Sequence, residues 1–206
     1  MIGVAAAQCC RSVFLLLAIG FSALLATSTT TYAQVPSNVA VVIGVRSAWT
    51  IEAPEGWRLD APAAVTAGLG AAFVPEEGSW GSSGAVMYAI TLPKGTDNAM
   101  SIDQVIRHDS IRTAARRPGT TVTIAETIET IEGVDALVRH SFPPEGANGT
   151  IEAVAYLNTP TVVACIVLSA RTPEDFTANL AAFARLVDSY EWITADAGEI
   201  TRLRAR

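Results

Sequence analysis

Val162-Val163-Ala164-Cys165-Ile166-Val167-Leu168 is apolar without a break and without alternation. A run this short, rich in β-branched residues, reads as a strand over Thr161 to Ser169 that is covered on both faces. The next segment predicts an amphipathic helix over Pro173 to Tyr190. Thr172 is a good N-cap, Pro173 suits the first helical position, and Glu174 and Asp175 fall at the positive end of the helix dipole. Phe176, Leu180, Phe183 and Val187 follow at spacings of four, three and four, one stripe of a helix. Burying side chains of this size contributes roughly 1.5–3 kcal/mol each. The rest of the chain must therefore supply a sheet around this strand and cover for its second face.

The N-terminus reads as an export signal. Arg11 gives a positive start, Val13 to Ala26 is an apolar stretch short for a membrane span, and Thr31-Tyr32-Ala33 resembles a small-x-small cleavage site. Residues 1–33 are the expected signal peptide, with Gln34 as the mature start and a periplasmic or secreted destination; the competing reading is a retained membrane anchor. Cys9 and Cys10 precede the apolar stretch, which argues against a lipid anchor. Removing 33 of the 206 residues leaves one ordinary domain. The mature chain then keeps a single cysteine, Cys165, and can form no internal disulfide. Of 14 Lys and Arg only Arg11 is lost, so 20 acidic residues still outweigh the basic ones. That balance argues against nucleic acid and against anionic membrane surfaces as partners.

Residues 34–46 read as an N-terminal lead, with Val39 to Val45 either a first strand or a disordered remnant. Trp49 to Ala53 alternates as a strand, Pro54-Glu55-Gly56 is a turn, and Trp57-Arg58-Leu59 begins the returning strand of a hairpin. Ala71 to Val74 and Ala85 to Leu92 read as strands. Between them, Glu76 to Gly84 (EEGSWGSSG) predicts a mobile loop. Ser101 with Gln104 forms a capping box for a helix from Ile102 to about Arg117, which Pro118-Gly119 ends. Thr121 to Ile131 and Val134 to Phe142 pair across Glu132-Gly133, and Thr150 to Leu157 leads into the central strand. Residues 194–206 are polar and read as a flexible tail. Hairpins interrupted by two helices make the fold class α+β, with a largely antiparallel sheet of about six or seven strands.

Trp49-Thr50-Ile51-Glu52-Ala53-Pro54-Glu55-Gly56-Trp57 resembles the opening hairpin of PsbP-like proteins, and the order of elements through Ser189-Tyr190-Glu191-Trp192 is similar too. The resemblance covers a domain of residues 47–193. It implies an α/β/α sandwich with two main helices. It also implies a mostly non-catalytic family, whose members include an extrinsic subunit of the photosynthetic oxygen-evolving complex and a Ran-GTPase-binding factor. No family binding residue has a matching motif here.

The chemistry-bearing residues form no recognisable catalytic or metal pattern. Cys165 lies inside the apolar strand, where a structural thiol is expected. His140 is in phase with Val134, Ala136, Val138 and Phe142, so it points toward an apolar face. His108 and Asp109 are adjacent on a helix and do not face each other. Two distant histidines give no zinc spacing, Glu76-Glu77, Asp97 and Asp103 match no calcium loop, and the Gly/Ser loop lacks a phosphate-binding ending. No cofactor or metal is therefore expected. Trp80, set between glycines with no periodic pattern to bury it, is the candidate contact anchor. Arg112, Arg116 and Arg117, with Arg107, make a basic helix end in an acidic protein and are the candidate docking patch for an acidic partner. The expected function is an exported, non-catalytic domain that binds an envelope protein or a small ligand. The alternative is an envelope hydrolase assembled from distant residues such as His140, Ser141 and the acidic loops.

Overall fold

Residues 38–95 and 100–205 are described by the computed structural model, all within the unit Val35–Arg206. The expected signal peptide and its cleavage site, and part of the turn after Lys94, lie outside the described residues. In chain order the elements are β1 (Val39–Ile43), β2 (Ala48–Glu52), β3 (Trp57–Leu59), α1 (Ala61–Ala67), β4 (Ala71–Pro75), β5 (Ala85–Pro93) and α2 (Ile102–Arg116). They continue with β6 (Thr121–Ile124), β7 (Ile128–Glu129), β8 (Asp135–Phe142), β9 (Ile151–Asn158), β10 (Val162–Ala170), α3 (Pro173–Asp188), β11 (Glu191–Thr194) and α4 (Ala197–Arg204).

The large sheet runs β3-β4-β5-β10-β9-β8-β6, every pairing antiparallel, with β7 also on β8. The fold is α+β. β10 sits at its centre between β5 and β9, which explains its unbroken apolar run: both of its faces are covered. Alternation divides the side chains of each strand between two layers. Met87, Ala89, Ala155, Leu157, Ile166 and Leu168 face the core that α3 seals with Phe176, Phe183, Leu186 and Val187. Tyr88, Ile90, Val154, Tyr156, Cys165 and Val167 face the other side, where α2 contributes Val105. Cys165 is fully buried, as expected.

The helix starts follow the sequence signals. Ser101 Oγ accepts from Gln104 N and Gln104 Oε1 accepts from Ser101 N, which completes the capping box of α2. Thr172 Oγ1 accepts from Asp175 N at the start of α3.

Three expectations are corrected and one open alternative is decided. Trp49 to Ala53 and Trp57 to Leu59 do not form a hairpin. The Pro54-Glu55-Gly56 turn exists, with Trp57 N donating to Pro54 O and Gly56 at φ 79°, but the strands part beyond it. β2 joins β1 and β11 in a separate three-stranded sheet, while β3 pairs with β4. The alternating Trp49 and Ile51 are both buried in the α3-side core, and burial there decides the pairing. Second, the lead is ordered as β1, whose Ala40 and Val42 are buried in that core. Third, α3 ends at Asp188, and Glu191–Thr194 turns back as a strand on β2. Fourth, the polar tail folds as α4. Asp196 caps it by accepting from Glu199 N, Ile200 is buried, and Arg204 donates to the Gly44 carbonyl. A further short helix, α1, is capped by Asp60 and closed by Gly68 at φ 66°.

Candidate functional site

α2 meets the sheet through Val105, Asp109 and Thr113, spaced four residues apart on one helix face. The first is apolar and buried with Ile102 and Ile106 at the helix start. The other two are polar, so the contact between helix and sheet turns polar after one turn. Opposite them, β8 presents Arg139 and β9 presents Tyr156, Val154 and Glu152 on the same face. Arg139 pairs with Val154 across the strands, and Tyr156 with Cys165 of β10.

Arg139 is only 2% exposed, an unusual position for a cation. Asp109 Oδ2 accepts from Arg139 Nη2 at 2.9 Å and from the Tyr156 hydroxyl at 2.6 Å. Arg139 Nε donates to the same Tyr156 oxygen at 2.9 Å, closing a triangle. The third nitrogen, Nη1, is buried and has no hydrogen-bond partner. Leaving such a donor unpaired costs about 1–3 kcal/mol. A second ion pair flanks the first. Arg117, the residue that ends α2, reaches Glu152 Oε1 at 3.2 Å and the Thr150 carbonyl at 3.3 Å.

Between these pairs lies a cavity of about 200 Å³. Asp109, Arg116, Arg117, Arg139, Glu152 and Tyr88 supply its polar lining; Ile90, Val154 and Val167 supply an apolar strip on the sheet side. Burial pushes the Tyr88 phenol well above its ordinary value, and the Glu152 carboxylate adds to this. Burial likewise raises Tyr156, with Asp109 next, and holds Cys165 as the neutral thiol. Burial therefore keeps both phenols and the thiol in their neutral forms near neutral pH.

The candidate residues fall unequally around this site. Arg116 and Arg117 both line the cavity, Arg116 exposed at its rim. Arg112 is exposed and lines a neighbouring groove with Leu92, Met100 and His108. Trp80 is half-buried and lies edge-on to Tyr88, with ring centroids 6.0 Å apart, so it touches the residue that floors the cavity. Its loop is not the loose segment expected. Arg58 donates to the carbonyls of Glu76 and Gly78, and Arg171 donates to that of Gly81. Gly84 lies so close to the Asp175 carboxylate that a Cβ there would meet it at 2.5 Å.

Asp109, Arg139, Tyr156, Glu152 and Tyr88 were not singled out from the sequence. One signal was available. If His140 points to the apolar face, Arg139 must point to the other, and β9 beside it is buried on both sides. His140 does pack on the α3 side, edge-on to Phe142 and Phe176 with centroids 6.2 and 5.2 Å away. Burial lowers its imidazole below the usual value. Ser141, next in the strand, points to the opposite face, and its hydroxyl has no partner. The two cannot act as a base and nucleophile. Among the described residues, no group of three or more His, Cys, Asp or Glu side chains is arranged to hold a metal ion, and no helix is long and apolar enough to cross a membrane.

An antiparallel sheet with α2 on one face and α3 on the other is the architecture of PsbP-like proteins, and the chain has this fold. Among solved structures it is similar to cyanobacterial PsbP (CyanoP) from Synechocystis sp. PCC 6803. The identity is 9%, over 79% of this chain and 96% of that one, with a TM-score of 0.50. It also matches the Ran-binding protein Mog1p from Saccharomyces cerevisiae, at 11% identity over 73% of this chain and 92% of that one, with a TM-score of 0.44. No family model and no curated protein matches the sequence.

Proposed function

We propose that the protein is an exported, non-catalytic PsbP-like domain that binds a partner protein or a small ligand in the cell envelope, and that it binds through the α2 face. The observation that carries this reading is Arg139, a guanidinium buried in a strand face, with one nitrogen unpaired, in the lining of a cavity beneath α2. Arg112 and Arg116 extend the same basic chemistry to the exposed side of the helix and favour an acidic partner. The hydrolase alternative draws no support from His140 and Ser141, which face opposite sides of the sheet.

Two measurements test the proposal. The protein recovered from the envelope or the medium should begin at Gln34; an intact Met1 in the membrane fraction would overturn export. A photo-crosslinker placed at Arg112 should give discrete adducts in envelope extract, while one at Thr177, on the exposed side of α3, should not. Equal labelling from the two sites would reject the α2 face as the binding surface.

A further inference from the structure

The cavity beneath α2 has a chemistry more specific than its place in the fold. It is lined by three guanidiniums, Arg116, Arg117 and Arg139, and by two carboxylates, Asp109 and Glu152. Each carboxylate is already matched inside the protein: Asp109 to Arg139 and Tyr156, Glu152 to Arg117 and Thr150. The unmatched remainder is one positive charge, carried by Arg116, and the free N–H groups of Arg139 Nη1. The sheet side also carries an apolar strip, made by Ile90, Val154 and Val167 between Tyr88 and Arg139. At about 200 Å³ the space exceeds the roughly 150 Å³ that accommodates a benzene ring.

We infer that this cavity is a binding site for a small monocarboxylate with a compact apolar body. The carboxylate would lie between Arg116 and the Arg139 guanidinium, and a small shift of that side chain would bring the sealed Nη1 to the acceptor it lacks. The apolar body would lie on Ile90, Val154 and Val167. A dianion would exceed the single surplus charge, and a cation or a fully polar solute would leave the arginines or the apolar strip unmatched. The carboxylate can be that of a free acid or the C-terminus of a peptide. This inference rests on the reading of the α2 face as the binding surface and names the ligand chemistry for it.

Titration calorimetry of the full-length protein with sodium benzoate, in buffer free of other carboxylates, tests the assignment. Benzoate should bind at one saturable site and raise the melting temperature. Benzamide, the same shape without the charge, should bind at least tenfold more weakly. Arg116→Gln changes an exposed side chain and should leave the fold intact while weakening benzoate about tenfold. Arg139→Lys keeps a cation for Asp109 but removes the planar nitrogen, and should abolish binding while leaving the circular dichroism unchanged. A short peptide ending in phenylalanine that competes with benzoate, and binds more tightly than its C-terminal amide, would support the carboxylate chemistry and point to a peptide source. Failure of benzoate to saturate at millimolar concentration, equal binding of benzamide, or indifference to both arginine variants would each overturn the assignment. Should that happen while Arg112 still gives discrete crosslinks, only the ligand class falls; loss of both removes the α2 face itself.

Discussion

The two faces of the large sheet are cut from the same strands by alternation, yet they are built to different standards. On the α3 face, alanines at 89, 153, 155 and 164 let a helix with Phe176, Phe183, Leu186 and Val187 approach closely, and the β1-β2-β11 sheet adds Trp49 and Ile51. That layer is dry. On the α2 face a single helical residue, Val105, is buried, and the contact beyond it is made by ion pairs around a cavity. The first face holds the fold together. The second keeps two ion pairs, one around a buried guanidinium, where the first has hydrocarbon.

The largest expected effect tests the dry side. Phe183→Ala should destabilise the protein by about 3–5 kcal/mol in chemical denaturation, because it empties the centre of the α3 interface. Val105→Ala, the corresponding change under α2, removes less surface and should cost about 2 kcal/mol. Equal losses would erase the contrast. The polar side is tested next by Asp109→Asn, which strips the buried Arg139 of its counter-charge. Such a loss costs about 3–5 kcal/mol when both partners are buried. Here the Asp109 side chain is 25% exposed and water can respond, so about 2 kcal/mol is expected. The double variant Asp109→Leu with Arg139→Met should regain most of that stability, since no lone charge remains. A double variant no more stable than the sum of the single changes would show that the pair is not an energetic unit.

The difference between the faces also explains what the sequence revealed. The α3 face was legible because its signals are local and periodic: the β10 run, the Thr172 cap and the Phe176–Val187 stripe follow one another directly in the chain. Element order and fold class followed from them. The three-stranded sheet was not legible, because β2 pairs with β11 from the far end of the chain and no local pattern announces such a partner. The tail was misread for a related reason. Its helix docks through one buried residue, Ile200, whose burial depends on β1. On the α2 face, Arg116 and Arg117 could be picked out as a basic helix end, but Asp109, Arg139 and Tyr156 are 17 to 47 residues apart and become a site only when β8 and β9 pair beneath the helix. Trp80 was separable from the periodic core, and the ties from Arg58 and Arg171 that fix its loop were not.

A smaller effect probes the boundary between the faces at β10. Cys165 points to the α2 side, is fully buried, and has its thiol held neutral by burial. It should resist thiol reagents in the native protein and react after denaturation. Cys165→Ala should cost roughly 1 kcal/mol and leave binding on the α2 face intact. Rapid labelling of the native protein would mean that water reaches further into this layer than Arg139 and Tyr156 allow.

The smallest effect is a dependence on pH that belongs to the dry side alone. His140 lies on the α3 face between Phe142 and Phe176, and its cross-strand partners, Thr123 and Ala153, are uncharged. Burial lowers its imidazole below the ordinary 6.5. The unfolded chain therefore takes up a proton at higher pH than the folded protein does. Above the unfolded value neither state is protonated and the full stability is present. As pH falls through 6.5 toward the lowered folded value, the unfolded state gains its proton first, and stability declines; below the folded value the loss is complete and the slope vanishes. Denaturation midpoints between pH 8 and pH 5.5, taken as roughly spanning this window, should fall for the parent protein and stay flatter for His140→Phe, which keeps the aromatic packing and cannot titrate. His108, exposed on α2, is common to both proteins and cancels from the difference. Parallel profiles would mean that His140 is solvated in the folded state, and that the α3 face admits water where its three aromatic rings meet.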